Sequence, residues 1–209
     1  MDDGQTYGEF MEADAILKGH FILSSGLHSD TYLQCARVMM DAARADRLCR
    51  ELADIVREEV GHPIDMVVAP AMGGVVVGYE MGRQLKLPSI FCERVNGAFE
   101  VRRGFDIPKG ARILLVEDVV TTGKSSLEAV ESIKAHGGNV VAEACLIDRS
   151  SGKHGLPFPL FSLLQLNVAT YEADALPEHL QAIEAIKPGS RHLSTVSYTH
   201  LTLPTNREV

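Results

Sequence analysis

Short runs of nearly unbroken apolar residues, separated by stretches of helical period, constrain this chain more than any other feature. The runs are Met66-Val67-Val68-Ala69, Pro88 to Cys92, Ile113-Leu114-Leu115-Val116, Val140 to Ile147 and Leu160 to Val168. A strand with one face in water alternates apolar and polar residues, whereas a strand covered on both faces does not. Between the runs, Val75 to Leu85 and the stretch from Thr122-Gly123 to His136 read as helices. The pattern predicts an α/β fold with a mostly parallel central sheet flanked by helices. No internal repeat competes with that reading.

Ahead of the first run, Ala45 to Val60 carries Leu48, Leu52, Ile55 and Val56 on one helical face, and Gly61-His62-Pro63 stops it. Tyr7 to Leu17 is expected to form a helix ended by Gly19, followed by two strand-like pieces around Ser24-Ser25-Gly26 within His20 to Leu33. Glu93 to Pro108 interrupts the alternation. Its Asn96-Gly97 pair suits a tight hairpin turn, and an excursion of this length is either a functional lid or a solvated hairpin.

With 209 residues, the chain is long enough for one domain and short for two. Residues 1–190 are read as that domain, and 191–209 as a disordered or non-native tail. A formal net charge of −8 argues against a partner such as nucleic acid, which needs a basic face. The four cysteines, Cys35, Cys49, Cys92 and Cys145, lack metal-binding spacing and read as buried free thiols in a reducing cytoplasm. No apolar run approaches the roughly 20 residues of a membrane span. The acidic start Met-Asp-Asp-Gly does not resemble a signal peptide.

The chemistry concentrates where the run Ile113 to Val116 delivers Glu117 and Asp118 ahead of Val119-Val120-Thr121-Thr122-Gly123-Lys124-Ser125. A helix N-terminus with hydroxyls and a permissive glycine attracts phosphate through its unpaired N–H groups. Two carboxylates in the same spot would repel it. A ligand with a phosphate at one end and a sugar diol beside it resolves the conflict, and ribose 5-phosphate is such a ligand. Gly-Lys-Ser also ends the nucleoside-triphosphate P-loop, but Asp118 occupies the place of that motif's first glycine. The plain alternative is a helix N-cap by Thr121 or Thr122.

The stretch Ile113 to Ser125 resembles the phosphoribosyl-pyrophosphate motif of type I phosphoribosyltransferases. More narrowly, the chain is similar to the orotate-specific branch, over about residues 7 to 190. The supporting stretches are Gly19 to Tyr32, Pro70-Ala71-Met72-Gly73-Gly74, Glu93-Arg94-Val95 with Arg102-Arg103-Gly104-Phe105, and Leu146-Ile147-Asp148-Arg149. The resemblance implies a small hood, from about residues 7–35 and 160–185, and a mobile hairpin. It implies transfer of ribose 5-phosphate from Mg²⁺-bound phosphoribosyl pyrophosphate to orotate, in pyrimidine nucleotide synthesis.

In that reading Glu117 and Asp118 bind the ribose hydroxyls, Thr121 to Ser125 the 5-phosphate, and Gly73 and Arg94 also meet phosphoribosyl pyrophosphate. Thr121, Arg149, Ser24, Ser25, Gly26 and Tyr32 surround orotate, whose carboxylate suits the guanidinium fork. Mg²⁺ is held mainly by substrate, with no direct protein ligand expected. A homodimer follows, each hairpin reaching the neighbouring active site. Two departures stand out. Many relatives place a lysine after the Pro-Ala turn, where Met72-Gly73-Gly74 stands here, and their mobile loop is rich in lysine and histidine. Arg102 or Arg103 is therefore expected to stabilise charge on pyrophosphate and not to transfer protons, because arginine stays charged. Alternatives are a purine-type phosphoribosyltransferase and a non-catalytic regulator that binds phosphoribosyl pyrophosphate. His20, His28 and His154 read as ordinary polar residues.

Overall fold

The computed structural model describes residues 2–23 and 25–188. The tail assigned to 191–209, and Ser24 of the hood, lie outside the described residues. The first helix, α1 (Asp3–Glu12), starts earlier than Tyr7 because Asp2 caps it. The Asp2 carboxylate accepts the Gln5 N–H at 2.8 Å, and the Gln5 side chain accepts the Asp2 N–H at 3.1 Å. The expected extension to Leu17 is wrong. Ala15 and Ile16 are buried without helix, and β1 (Ile16–Ile22) pairs antiparallel with β2 (His28–Leu33). Gly19 thus lies inside a strand.

The helix α2 (Ala36–Met39) leads into α3 (Ala42–Glu59), where Asp41 accepts the N–H groups of Ala43 and Arg44 at 2.9 and 3.1 Å. One face of α3 buries Ala45, Leu48, Cys49, Leu52, Ala53 and Val56. Next come β3 (Met66–Pro70), α4 (Gly73–Leu85), β4 (Ser89–Val95) and β5 (Ala98–Val101). The Asn96-Gly97 turn forms as expected: Val95 pairs with Ala98, and the two turn residues have φ of 51° and 90°. The chain continues through β6 (Arg112–Val120), α5 (Lys124–Ala135), β7 (Asn139–Asp148), β8 (Leu160–Gln165), β9 (Thr170–Tyr171) and α6 (Glu178–Gln181).

The central sheet has six strands in the order β5-β4-β3-β6-β7-β8, antiparallel only between β4 and β5. Unbroken apolar runs are explained by cover on both faces. Along β6, Leu114 and Val116 join one core with α3 and α4, through Leu48, Leu52, Val77 and Met81. Ile113 and Leu115 join the other with Ala129, Val130 and Ile133 of α5. All four cysteines are buried free thiols, as expected.

The hood is a separate sheet in the order β1-β2-β9. The hood boundary of 160–185 needs correction, since Leu160–Gln165 is an edge strand of the central sheet. The later segment does reach the hood. Ile186 bridges Phe21, with the Ile22 N–H donating to Ile186 O and the Ile186 N–H to His20 O, both at 2.8 Å. His20, buried, adds a 2.8 Å contact to Ile183 O and a 2.6 Å contact to His28.

Candidate active site

The chain leaves β3 toward β4 and β5, then returns through β6 to the opposite side of β3. Such a reversal opens a crevice beyond the carboxyl ends of the two central strands, where open α/β sheets bind ligands. A cavity of about 990 Å³ lies there, between those strand ends and the hood. The positions expected from sequence that line it are Gly73, Arg94, Glu117 to Ser125, Arg149, Ser25 and Tyr32.

The acid pair is not in a loop. Residues 117–120 complete β6, and the pairing with β7 continues to Val120 opposite Asp148. Glu117 is only 8% exposed, and burial, then Asp118, then Glu143 push its carboxyl up to about 9. Burial also raises Asp118, whose Oδ1 accepts the Val119 N–H at 2.9 Å. Two glycines make room for these acids. A Cβ on Gly73 would lie 2.6 Å from Asp118 Oδ1, and one on Gly74 would lie 2.9 Å from the Val116 carbonyl oxygen. That packing explains Met72-Gly73-Gly74 after the Pro-Ala turn: α4 starts against the acids with no side chain between.

Gly123 joins the strand to α5 with φ of 72°, and a Cβ there would lie 2.2 Å from His154 O. The N-cap alternative fails, because α5 has no side-chain cap. Thr122 Oγ1 makes only a 3.4 Å contact with the Lys124 N–H. Thr121 to Ser126 line the cavity, with the positive end of the helix dipole behind them.

Arg149 is fixed by its backbone, whose N–H donates to Val120 O at 2.8 Å. Its Nε is buried without a partner, and burial lowers the pKa of the guanidinium. An unmatched buried donor on a cation calls for an anionic ligand. In the hood, Tyr32 is raised by burial and then by the charge of Asp118. Gly26 shapes the turn, φ 88° with its N–H on Leu23 O at 2.9 Å, but does not line the cavity.

The hairpin arginines divide. Arg94 lines the cavity, pairs with Glu128, and lies over the Phe99 ring at 4.2 Å. Arg102 and Arg103 do not reach their own chain's cavity. Both turn to Glu93, at 3.8 and 2.9 Å, because an exposed guanidinium takes the nearest carboxylate. Sequence reasoning missed Phe99, Ser126, Lys153, Thr170 and Lys187, which also line the cavity. Lys187 arrives only through the bridge of Ile186 to β1, which leaves no periodic signal. Ser126 stands one position beyond the loop read from sequence.

Comparison with known proteins identifies the family. The profile of the phosphoribosyl transferase domain family matches residues 40–167. The chain is 57% identical over 195 residues to an orotate phosphoribosyltransferase of Sphingopyxis alaskensis, covering 93% of this chain and 100% of that one. It is 53% identical over 184 residues to one of Bartonella tribocorum, covering 88% and 95%. The crystal structure of orotate phosphoribosyltransferase from Aeropyrum pernix superposes with a TM-score of 0.65 at 27% identity, covering 75% of this chain and 91% of that one.

Proposed function

Since this chain belongs to the orotate phosphoribosyltransferases of the phosphoribosyl transferase domain family, we propose that its cavity works through the acid pair, the uncapped α5 terminus and Arg149. The enzyme transfers ribose 5-phosphate from phosphoribosyl pyrophosphate to orotate, giving orotidine 5′-monophosphate and pyrophosphate. A ring nitrogen of orotate forms a bond to the anomeric carbon as the carbon–oxygen bond to pyrophosphate breaks, and the proton of that nitrogen passes to solvent. Glu117 and Asp118 accept hydrogen bonds from the ribose hydroxyls. Residues Thr121 to Ser125 receive the 5-phosphate at the start of α5. Departure of pyrophosphate leaves cationic character on the sugar, and the adjacent acids favour that charge.

Arg149 supplies the acceptor's anchor. Its buried, unpartnered Nε matches a carboxylate, which orotate has and purine bases lack. Ser25 and Tyr32 close the hood over the base. The observation that carries the reading is the acid pair at the end of β6 leading into a helix without a side-chain cap, with Arg149 lining the same cavity.

Mg²⁺ is part of the proposal. Glu117 and Asp118 at the end of β6 would face such a cation, which would be held mainly by substrate. When bound, Mg²⁺ offsets the charge of the leaving pyrophosphate. The homodimer is proposed on two grounds. Met72, Val76 and Tyr79 form one exposed stripe on α4, at 84, 51 and 67% exposure, beside the cavity wall of Ala71 and Gly73. Arg102 and Arg103, which leave their own cavity unserved, would act on pyrophosphate in the partner's. A cytoplasmic location fits the four buried free thiols. No helix among the described residues is long and apolar enough to cross a membrane.

The test is substrate depletion with phosphoribosyl pyrophosphate and Mg²⁺, against orotate, adenine, hypoxanthine and xanthine in parallel. Turnover of orotate alone is expected. Turnover of a purine alone would sink the acceptor assignment. Binding of phosphoribosyl pyrophosphate with no turnover would favour a regulator.

A further inference from the structure

Beneath the first turn of α5 lies a carboxyl that the reaction as described does not use. Glu143, in the middle of β7, has no exposed surface. Its Oε1 accepts the Ser126 hydroxyl at 2.8 Å, while its Oε2 is buried with no hydrogen-bond partner. A buried carboxyl with one oxygen unmatched is costly, and an apolar residue would fit a parallel strand between β6 and β8 better. Ser126 is itself buried, 2% exposed, yet contributes to the cavity wall directly after the phosphate loop. The register pairs Glu143 with Leu115 and Cys145 with Glu117, so Glu143 and Glu117 are diagonal neighbours on adjacent strands.

We propose that Glu143 is a positioning residue for the ribose 5-phosphate site: through Ser126 it holds the first turn of α5, whose N–H groups receive the phosphate. The inference rests on the phosphoribosyl reading of that loop. The contact commits the Ser126 hydroxyl as a donor into the sheet, which fixes its rotamer and with it the direction of the turn.

The same carboxyl couples the site to protons. The groups facing it are Ser126 of α5, Glu117 of β6, and Cys145 and Asp148 of its own strand. Burial, outweighing the Ser126 hydrogen bond, pushes Glu143 up to about 7, and Asp148 adds to the rise. A phosphate arriving at the helix adds negative charge nearby and favours the protonated form. Above neutral pH, ionised Glu143 opposes the phosphate; below it, the neutral acid does not.

The experiment titrates the full-length protein with ribose 5-phosphate by calorimetry at pH 6.5 and 8.5, alongside orotate turnover. The proteins are the wild type, Ser126→Ala, Glu143→Gln and Glu143→Leu, each checked for cooperative thermal unfolding. At pH 6.5, where the neutral acid does not oppose the phosphate, Ser126→Ala and Glu143→Leu should each weaken ribose 5-phosphate by about three- to tenfold, the equivalent of one hydrogen bond, with the KM for orotate within about twofold. Glu143→Gln keeps the acceptor oxygen without the charge. It should match the wild type at pH 6.5 and bind more tightly than the wild type at pH 8.5. Should Glu143→Leu not fold, Ser126→Ala and Glu143→Gln decide alone. Folded variants with unchanged ribose 5-phosphate affinity at both pH values, in a wild type that binds it, overturn the role of Glu143 and spare the family reaction. A wild type that neither binds ribose 5-phosphate nor turns over orotate overturns both.

Discussion

Glu117 and Asp118 are adjacent acids held in the sheet by pairing of β6 with β7, and neither forms an ion pair with a described residue. The sign of the consequence follows from the direction of the shift. The Glu117 carboxyl rises from 4.5 to about 9 on folding, so the stability linked to it is fully present below about pH 4.5 and is lost as pH rises toward 9. Glu117→Gln removes that penalty. Its melting temperature should exceed the wild type's at pH 8 by at least about 2 °C, the shift that ~1 kcal/mol gives in a domain of this size. The two should converge near pH 5, in thermal unfolding followed by circular dichroism without ligands. Asp118→Asn should also keep the fold but lower kcat/KM for phosphoribosyl pyrophosphate by about 10- to 100-fold, as expected when a charged acceptor of sugar hydroxyls becomes neutral. Wild-type kinetics in that variant would remove the sugar-binding role. The stability gain and the activity loss share one cause: two carboxyls buried side by side at the end of β6.

At the scale of elements, the decisive junction is β6 to α5, and Gly123 sets its geometry. Gly123→Ala combines a left-handed backbone, costing about 1–2 kcal/mol for a residue with a Cβ, with a collision against His154 O. Gly110→Ala is the control, since φ is 79° there and nothing lies within 4 Å of the added carbon. Denaturant unfolding should show about 1 kcal/mol lost at Gly110 and at least twice that at Gly123. Only the latter should also raise the KM for phosphoribosyl pyrophosphate. Equal losses would mean that the 149–158 connection yields freely and does not shape the loop. This junction was legible in the sequence because it is local: strand, acids, hydroxyls and glycine follow one another within thirteen positions, Ile113 to Ser125. The same locality exposed the strands, whose two-sided burial writes itself as unbroken apolar runs. Legibility failed where tertiary pairing overrode a local pattern. Ala15 and Ile16 match a helical face, yet Ile16 pairs with Leu33 across the hood. Lys187 and Thr170 reach the cavity from the far end of the chain, and no spacing in a one-dimensional string records that approach. Arg102 and Arg103 were visible as charges, but their pairing with Glu93 was not.

For the whole molecule, that pairing and the bare face of α4 pose one problem with a common solution. A lone chain leaves Met72, Val76 and Tyr79 in water and keeps two hairpin arginines away from its own cavity. An isologous dimer on the α4 face would bury the stripe and bring each hairpin near the other subunit's site. Tyr79→Asp should therefore convert a species of twice 22.7 kDa into one of 22.7 kDa in light scattering, and turnover should fall with it. Ribose 5-phosphate binding should survive, since the phosphate loop is built within one chain. Loss of turnover alone would not show which subunit supplies the arginines, and complementation does. A chain carrying Arg102→Ala with Arg103→Ala, and a second chain carrying Asp118→Asn, should each be nearly inactive as homodimers. Mixed after mild dissociation, half of the dimers at random assortment pair one chain of each kind. In such a dimer one site has both defects and the other has neither, because the intact acid pair meets the intact hairpin of its partner. About a quarter of wild-type activity should return, by this counting for a two-fold dimer. If the arginines served their own chain, every site in the mixture would carry one defect. The activity would then stay at the level of the parents.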